Sequence, residues 1–128
     1  MNVLMVDDEE DIRKIGKMSL EAVGGHRVTL AASAIEAMAC ARTERPDVIL
    51  MDMMMPGMDG LSALATMRSA EDLLDVPIVF MTARIQRHEI DEYLRAGAIG
   101  VIRKPFDPMA LPRELESLLV AGKTPQGG

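Results

Sequence analysis

The sequence is short of several residue types, and each shortage excludes a class of protein. Its single cysteine, Cys40, excludes a disulfide framework and a cysteine metal site. Fourteen basic residues against twenty acids give a net charge of −6, so this domain is not expected to bind nucleic acid or an anionic membrane. No apolar run approaches membrane-spanning length, and acids begin at Asp7, too early for a signal peptide. We therefore expect a cytoplasmic protein.

Aromatic residues are scarce and methionine is abundant. The chain has two phenylalanines, one tyrosine and no tryptophan, but twelve methionines. Because the methionine side chain is flexible and polarisable, it fills irregular gaps in a core. This core role is predicted for Met5, Met18, Met38, Met51, Met67 and Met81. The methionines expected to be exposed enough for a binding surface are Met53, Met54, Met55 and Met58.

The order of apolar segments predicts an α/β fold. Short apolar runs that predict strands occur at residues 2–6, 26–30, 48–51, 78–81 and 99–102. Segments with helical spacing lie between successive strands and after the last one. Helices are predicted near residues 12–23, 33–43, 61–70, 86–96 and 111–121. Strands that alternate with helices in this way form a parallel sheet covered by helices on both faces.

One domain accounts for nearly the whole chain. We expect it to cover residues 1–122, and we interpret residues 123–128 as a polar tail or a truncated linker. The last helix has an unusual start, because Pro112 lies too deep for a helix that begins at Pro108. We therefore predict a short turn over 107–110 and a regular helix that starts near Leu111 or Pro112.

Polar side chains stand where four of the predicted strands end. Asp7 and Asp8 follow the first strand, Asp52 the third, Thr82 the fourth and Lys104 the fifth. The carboxyl ends of parallel strands meet at one edge of a sheet, which is where such folds bind ligands. Three acids, a hydroxyl and an ammonium at this edge make a phosphoryl-transfer site the leading hypothesis.

These pieces, in this order, resemble the receiver domain of two-component response regulators, over residues 1 to about 122. The resemblance implies a flavodoxin-like, doubly wound sheet of five parallel strands in the order 2-1-3-4-5, with five helices. It implies that Asp52 accepts a phosphoryl group from a phosphohistidine on a sensor kinase or phosphotransfer protein, while Lys104 and Thr82 contact the phosphoryl oxygens. Such a domain is a signalling switch for a downstream protein rather than an enzyme, and it is a monomer or a weak phosphorylation-dependent dimer.

The three acids also point to a metal ion. Converging carboxylates raise one another's pKa unless a cation is present, and Mg²⁺ prefers hard oxygen ligands. The resemblance implies that Asp8 and Asp52 bind Mg²⁺ directly, that the carbonyl of Met54 supplies a third ligand, and that Asp7 acts mainly through water.

The sequence departs from the family pattern at several positions. Relatives carry an aromatic residue where this chain has Val101, and the sole tyrosine, Tyr93, lies in the fourth helix instead. Met54 and Arg84 flank the expected path of the hydrolytic water, so we predict slow loss of the phosphoryl group. The resemblance also implies a cis peptide bond between Lys104 and Pro105.

Two other classes of protein share part of this pattern. A haloacid-dehalogenase-type phosphatase also uses an aspartate nucleophile, but it requires a second Asp where Met54 stands, and its nucleophile follows the first strand. A flavodoxin-like cofactor binder requires a phosphate-cradling loop after the first strand, where this chain is acidic. Both are remote alternatives. His26 and His88 are interpreted as ordinary residues without a partnered acid.

Overall fold

A five-stranded parallel sheet forms the centre of the computed structural model, which describes residues 1–70, 73, 75–83 and 86–123. The strands are β1 (Asn2–Val6), β2 (Arg27–Ala31), β3 (Val48–Asp52), β4 (Ile78–Thr82) and β5 (Gly100–Arg103). They pair in the order β2-β1-β3-β4-β5, and every pairing is parallel. The predicted fold class and strand order are confirmed.

Five α-helices accompany the sheet: α1 (Glu10–Met18), α2 (Ala34–Thr43), α3 (Gly60–Arg68), α4 (Arg87–Arg95) and α5 (Leu111–Lys123). The start of α5 is as predicted, because a turn precedes it in which the Asp107 carboxylate accepts a hydrogen bond from the amide of Met109 at 2.9 Å. Residues 124–128 of the predicted tail lie outside the described residues. Among the residues described, no helix is long and apolar enough to cross a membrane.

The first helix continues as a π-helical turn, Ser19–Val23, which the sequence did not predict. The amide of Gly24 donates to the carbonyl of Ser19, one residue further back than in an α-helix. The buried Ser19 hydroxyl donates to the carbonyl of Pro108 in the turn before α5. This wider turn therefore ties the end of α1 to the chain that follows β5.

Two apolar clusters cover the two faces of the sheet. Every residue of β3 and β4 is buried, and alternate side chains point to opposite faces. One cluster joins the sheet to α2 and α3, and includes Leu4, Ile49, Met51, Ile78, Phe80, Leu64 and Met67. The other joins it to α5 and the π-helical turn, and includes Val3, Met5, Leu50, Val79, Met81, Leu20 and Leu115. The carboxyl edge of the sheet is thus carried on a rigid, buried platform.

The segment after β3 is not an open loop, because Met54–Met55 pairs with Met58–Asp59 in a short antiparallel hairpin. Gly57 permits the turn with a φ of 84°. The amide of Gly60 donates to the carbonyl of Met53 at 2.8 Å, which folds the hairpin back onto the sheet. The helix α3 begins directly afterwards, and the Asp59 carboxylate caps it by accepting a hydrogen bond from the amide of Ser62 at 2.8 Å.

The methionine predictions are partly confirmed. Met5, Met51, Met67 and Met81 are buried in the core, and the half-buried Met38 packs against it. The prediction for Met18 is wrong, because this residue ends α1 on its solvent side and is 63% exposed. The exposure predicted for Met53 and Met55 is also wrong, because the hairpin turns both side chains inward. Met54 is exposed as predicted, and the side chain of Met58 lies outside what the structure describes.

Candidate functional site

The strand ends bring the predicted polar side chains together. Asp7, Asp52 and Thr82 are buried, and Asp8 is exposed beside them. One carboxylate oxygen from each of Asp7, Asp8 and Asp52 lies within 4.8 Å of the other two. Lys104 reaches into the same group from the end of β5. The sequence therefore identified the residues that meet at this edge of the sheet.

Backbone pairing sets the positions of these side chains. Asp52 and Thr82 are the last residues of β3 and β4, and in the sheet Asp52 pairs with Met81. The amide of Asp7 donates to the carbonyl of Ala31 at 3.1 Å, which extends the ladder past the end of β1. In the same way, the amide of Lys104 donates to the carbonyl of Thr82 at 2.8 Å. Asp52 and Thr82 are therefore fixed as the last residues of buried strands, and Asp7 and Lys104 by the first backbone hydrogen bond after a strand.

The Lys104 ammonium joins two of the acids. Its Nζ lies 2.9 Å from Oδ2 of Asp7 and 3.5 Å from Oδ2 of Asp52. The peptide bond to Pro105 is cis, as predicted. Burial lowers the pKa of Lys104, but its hydrogen bond to Asp7 and the charges of Asp52 and Asp7 outweigh this effect, so the pKa lies above its ordinary value. Lys104 therefore remains a cation in the site.

Both carboxylate oxygens of Asp7 already have partners in the protein. Oδ1 accepts a hydrogen bond from the amide of Glu9 at 2.9 Å, and Oδ2 accepts one from Lys104. The guanidinium of Arg13 donates to the backbone carbonyl of Asp7 at 2.7 Å. Arg13 was not predicted as a site residue, and its one signal in the sequence is its place directly after Ile12 of the apolar helix face. Asp7 is thus an anchored acid, whereas Asp8 is accessible.

Opposing effects act on the pKa of the Asp52 carboxyl group. Burial first, and then the charge of Asp7, raises its pKa from 3.8 to about 6, although a hydrogen bond from the amide of Met54 and the charge of Lys104 act in the opposite direction. The Met54 amide lies 3.2 Å from Oδ1 of Asp52. One ammonium does not offset three acids, so the donor set of hard carboxylate oxygens fits a divalent cation such as Mg²⁺.

A cavity of about 470 Å³ opens at the carboxyl ends of β3 and β4. It is lined by Met53, Met54, Thr82, Ala83, Glu89 and Tyr93. The predicted site residues Met54 and Thr82 therefore share one space with two residues of α4 that the sequence analysis did not assign to the site. The position predicted for Arg84 lies outside the described residues.

The chain is similar to known proteins over the segment that contains these site residues. Residues 3–116 match the family model described as the response regulator receiver domain. The chain belongs to this family. The response regulator MprA of Mycobacterium avium is 37% identical over 119 residues, which cover 93% of this chain and 51% of MprA. PhoB of Pseudomonas aeruginosa, a phosphate regulon transcriptional regulatory protein, is 33% identical over 117 residues, which cover 91% of this chain and 51% of PhoB.

Among solved structures, the chemotaxis response regulator CheY4 of Vibrio cholerae superposes with a TM-score of 0.84 at 33% identity, covering 91% of this chain and 97% of CheY4. This receiver domain therefore spans about half the length of the longer relatives named above and nearly the whole of the chemotaxis protein.

In this receiver domain an aromatic residue of α4, Tyr93, lines the same cavity as Thr82. Val101 pairs with Phe80 in the sheet, and the ring of Tyr93 packs on Phe80 with its centroid 5.5 Å away and the two rings tilted by 53°. Burial, followed by the charges of Glu89, Glu92 and Asp59, raises the pKa of Tyr93. Tyr93 does not match the family pattern in sequence, and its place in the lining of the cavity was not predicted.

The expectation that His26 has no acidic partner is wrong. Its Nε2 lies 3.0 Å from a carboxylate oxygen of Glu116 on α5, and its Nδ1 lies 3.3 Å from the amino group of Met1. Ninety residues separate His26 from Glu116, so no local pattern could reveal the pair. His26 directly precedes β2, at the end of the parallel sheet opposite to the acids, and His88 is exposed. Neither histidine joins the candidate site.

Proposed function

We propose that this domain accepts a phosphoryl group on Asp52 from a phosphohistidine of a sensor kinase or phosphotransfer protein, and that the acquired charge switches its binding to a downstream protein. The observation that carries this proposal is the position of the Lys104 ammonium, between the anchored Asp7 and the buried Asp52 at one strand edge. Thr82 ends the neighbouring strand, where its hydroxyl would be able to donate a hydrogen bond to a phosphoryl oxygen.

The proposed phosphoryl transfer forms one bond to phosphorus and breaks another. A carboxylate oxygen of Asp52 attacks phosphorus, the phosphorus–nitrogen bond of the phosphohistidine breaks, and the imidazole leaves with the electron pair and takes up a proton. A carboxyl group with a pKa of about 6 is mostly ionised at neutral pH and is therefore a competent nucleophile. Lys104 and the amide of Met54 face the carboxylate that would carry the transferred group, so they are placed to stabilise its negative charge.

Mg²⁺ fits this chemistry. Asp8, Asp52 and the carbonyl of Met54 would hold the ion, and Asp7, whose two oxygens are already engaged by protein donors, would act through water. When bound, the ion neutralises charge on the acids and on the phosphoryl oxygens. The convergence of three carboxylate oxygens within 4.8 Å supports this assignment.

The lifetime of the phosphorylated state depends on access of water. The exposed Met54 lines the cavity, two residues after Asp52, and a thioether is a weak hydrogen-bond acceptor that does not hold water in line. We therefore propose slow self-dephosphorylation. The contribution assigned to Arg84 stays a prediction.

The partners follow from the same proposal. In the cytoplasm, a sensor histidine kinase or a phosphotransfer protein supplies the phosphoryl group. A downstream protein then binds the domain, which is a monomer or a weak phosphorylation-dependent dimer. With a net charge of −6, this domain itself is not expected to bind nucleic acid.

Intact mass after incubation with acetyl phosphate and Mg²⁺ tests the acceptor. We expect one added phosphoryl group in the native chain and none in Asp52→Asn. Asp59→Asn is the matched control, because it makes the same chemical change seven positions later, where asparagine still caps α3. This control should be phosphorylated normally. An adduct in Asp52→Asn, or no adduct in the native chain, would show the proposal to be wrong.

A further inference from the structure

Met54 has an exposed thioether and a backbone hydrogen bond to Asp52, the proposed phosphoryl acceptor. Its side chain is 75% exposed, and its amide donates a hydrogen bond to Oδ1 of Asp52. Its neighbours Met53 and Met55 are buried, because successive side chains of the hairpin point in opposite directions. Within this run of three methionines, the middle one alone presents its sulfur to solvent beside the site.

An accessible thioether reacts with hydroperoxides. One peroxide oxygen forms a bond to sulfur while the oxygen–oxygen bond breaks, so the sulfur loses two electrons and hydrogen peroxide is reduced to water. The product, methionine sulfoxide, replaces an apolar group by a polar one with a strong acceptor oxygen, and reductases reverse the change.

The effect of a sulfoxide oxygen on Met54 depends on where that oxygen lies. The Met54 side chain and Thr82 line the same cavity of about 470 Å³, which has room for several water molecules. A sulfoxide oxygen there can accept a hydrogen bond from water and hold that water beside Asp52, where the thioether could not.

We propose that Met54 is a modification site, at which oxidation by a hydroperoxide shortens the life of the phosphoryl group on Asp52. The chain would then combine a phosphorylation signal with a peroxide signal at one place, since oxidised molecules return sooner to the unphosphorylated state. This proposal rests on the proposed function of Asp52 as the phosphoryl acceptor.

Other exposed methionines provide internal controls. Met18 at the end of α1 is 63% exposed and Met109 before α5 is 70% exposed, so peroxide reaches them as easily as Met54. Neither lines the cavity or bonds to Asp52. Their oxidation is therefore expected to leave the phosphoryl group undisturbed.

The experiment compares phosphoryl lifetimes before and after mild treatment with hydrogen peroxide. Each protein is oxidised, freed of peroxide, phosphorylated with acetyl phosphate and Mg²⁺, and followed by intact mass once the donor is removed. Peptide mass mapping scores oxidation at each methionine. We expect oxidation to shorten the lifetime by about fivefold in the native chain, which corresponds to one added hydrogen bond in the transition state. A methionine sulfoxide reductase should restore the original lifetime.

Two variants locate the effect. Met18→Leu/Met109→Leu should respond to peroxide as the native chain does, whereas Met54→Leu should keep one lifetime with and without peroxide. An unchanged or longer lifetime in the oxidised native chain would overturn the proposal, as would a Met54→Leu variant that responds or a Met54 that stays unoxidised while Met18 and Met109 react. If the untreated native chain accepts no phosphoryl group, the proposed function itself fails. The two failures are therefore distinguishable.

Discussion

The two sides of the candidate site are held in different ways. Direct polar contacts hold the side next to α1 and α5, whereas the side next to α4 is formed by a helix without buried residues. Arg13 and Lys104 both donate to Asp7, and the Ser19 hydroxyl joins the π-helical turn to the chain before α5. On the other side, none of the residues of α4, all of which are described, is buried, and its Tyr93 packs on Phe80 at the wall of a cavity. The charged groups of the candidate site are thus fixed, while the helix that faces the cavity has no buried residue.

Because of this difference, we expect the two sides of the site to respond differently to a change at Asp52. Elements with few buried apolar contacts open and shift more easily than the core, so we expect α4 to respond to events at Asp52 while Asp7 and Lys104 stay in place. The following experiments test each side of this comparison.

The largest effect is expected from Lys104→Met, which removes the charge between two buried acids. We expect the rate of phosphorylation by acetyl phosphate to fall by about 100-fold, because one preorganised donor to the developing charge is lost. The unfolding free energy should fall by about 3 kcal/mol, because the buried Asp7 loses its charged partner. Intact mass measures the rate, and urea denaturation measures the stability.

Lys14→Met is the control for this loss. Lys14 pairs with Glu10 at 3.1 Å on the exposed surface of α1, so its replacement should change stability by less than about 0.5 kcal/mol and leave phosphorylation intact. Equal losses in the two variants would mean that the anchored acids are not what holds this side together.

The same truncation in two helices compares their packing directly. Leu115 on α5 is fully buried and Leu94 on α4 is 42% exposed. Leu115→Ala should lower the unfolding free energy by about 3 kcal/mol, because it leaves a cavity in the core. Leu94→Ala should cost less than about 1 kcal/mol. Similar losses in urea denaturation would contradict the weaker attachment of α4.

A smaller effect is expected from Asp52→Asn on the pH dependence of stability. Burial and the charge of Asp7 raise the folded pKa of Asp52 to about 6, so the folded state binds this proton more tightly than the unfolded chain does. The contribution of Asp52 to stability is therefore present below its unfolded pKa and is lost as pH rises towards 6. At about pH 7.5 the variant should be more stable than the native chain by about 1–2 kcal/mol, a value that allows for solvent screening.

Urea denaturation at several pH values checks this sign. The difference between Asp52→Asn and the native chain should disappear near pH 4, and Mg²⁺ should reduce it at neutral pH by stabilising the native carboxylates. Asp59→Asn should show no gain, because hydrogen bonds from Ser62 lower the pKa of Asp59. A native chain that is the more stable of the two at neutral pH would contradict the raised pKa.

Local patterns were sufficient for much of the fold and the site. Buried strands that end in polar residues predict both the sheet and the residues that meet at its edge, because parallel strands align their carboxyl ends. Pro112 likewise fixes the start of α5 through its own covalent geometry.

Contacts that depend on how the chain folds in three dimensions could not be predicted in this way. Arg13 acts on a backbone carbonyl, His26 finds Glu116 across ninety residues, and the inward turn of Met53 and Met55 depends on a hairpin that folds back on the sheet. Periodicity predicts which face of an element is apolar, but it does not predict which remote group that face will meet.

The smallest effect, and the most direct reading of the α4 side, is a change in tyrosine fluorescence. Tyr93 is the single tyrosine and the chain has no tryptophan, so the emission reports on one ring. That ring lines the cavity shared with Thr82 and Met54. A phosphoryl group on Asp52 adds charge and bulk beside this cavity, so acetyl phosphate with Mg²⁺ should change the emission by a small, reproducible fraction. Asp52→Asn should give no change, and Tyr93→Phe should lose the signal while it still gains the phosphoryl mass. Full phosphorylation by mass with unchanged emission would mean that α4 is as fixed as the side of α1 and α5.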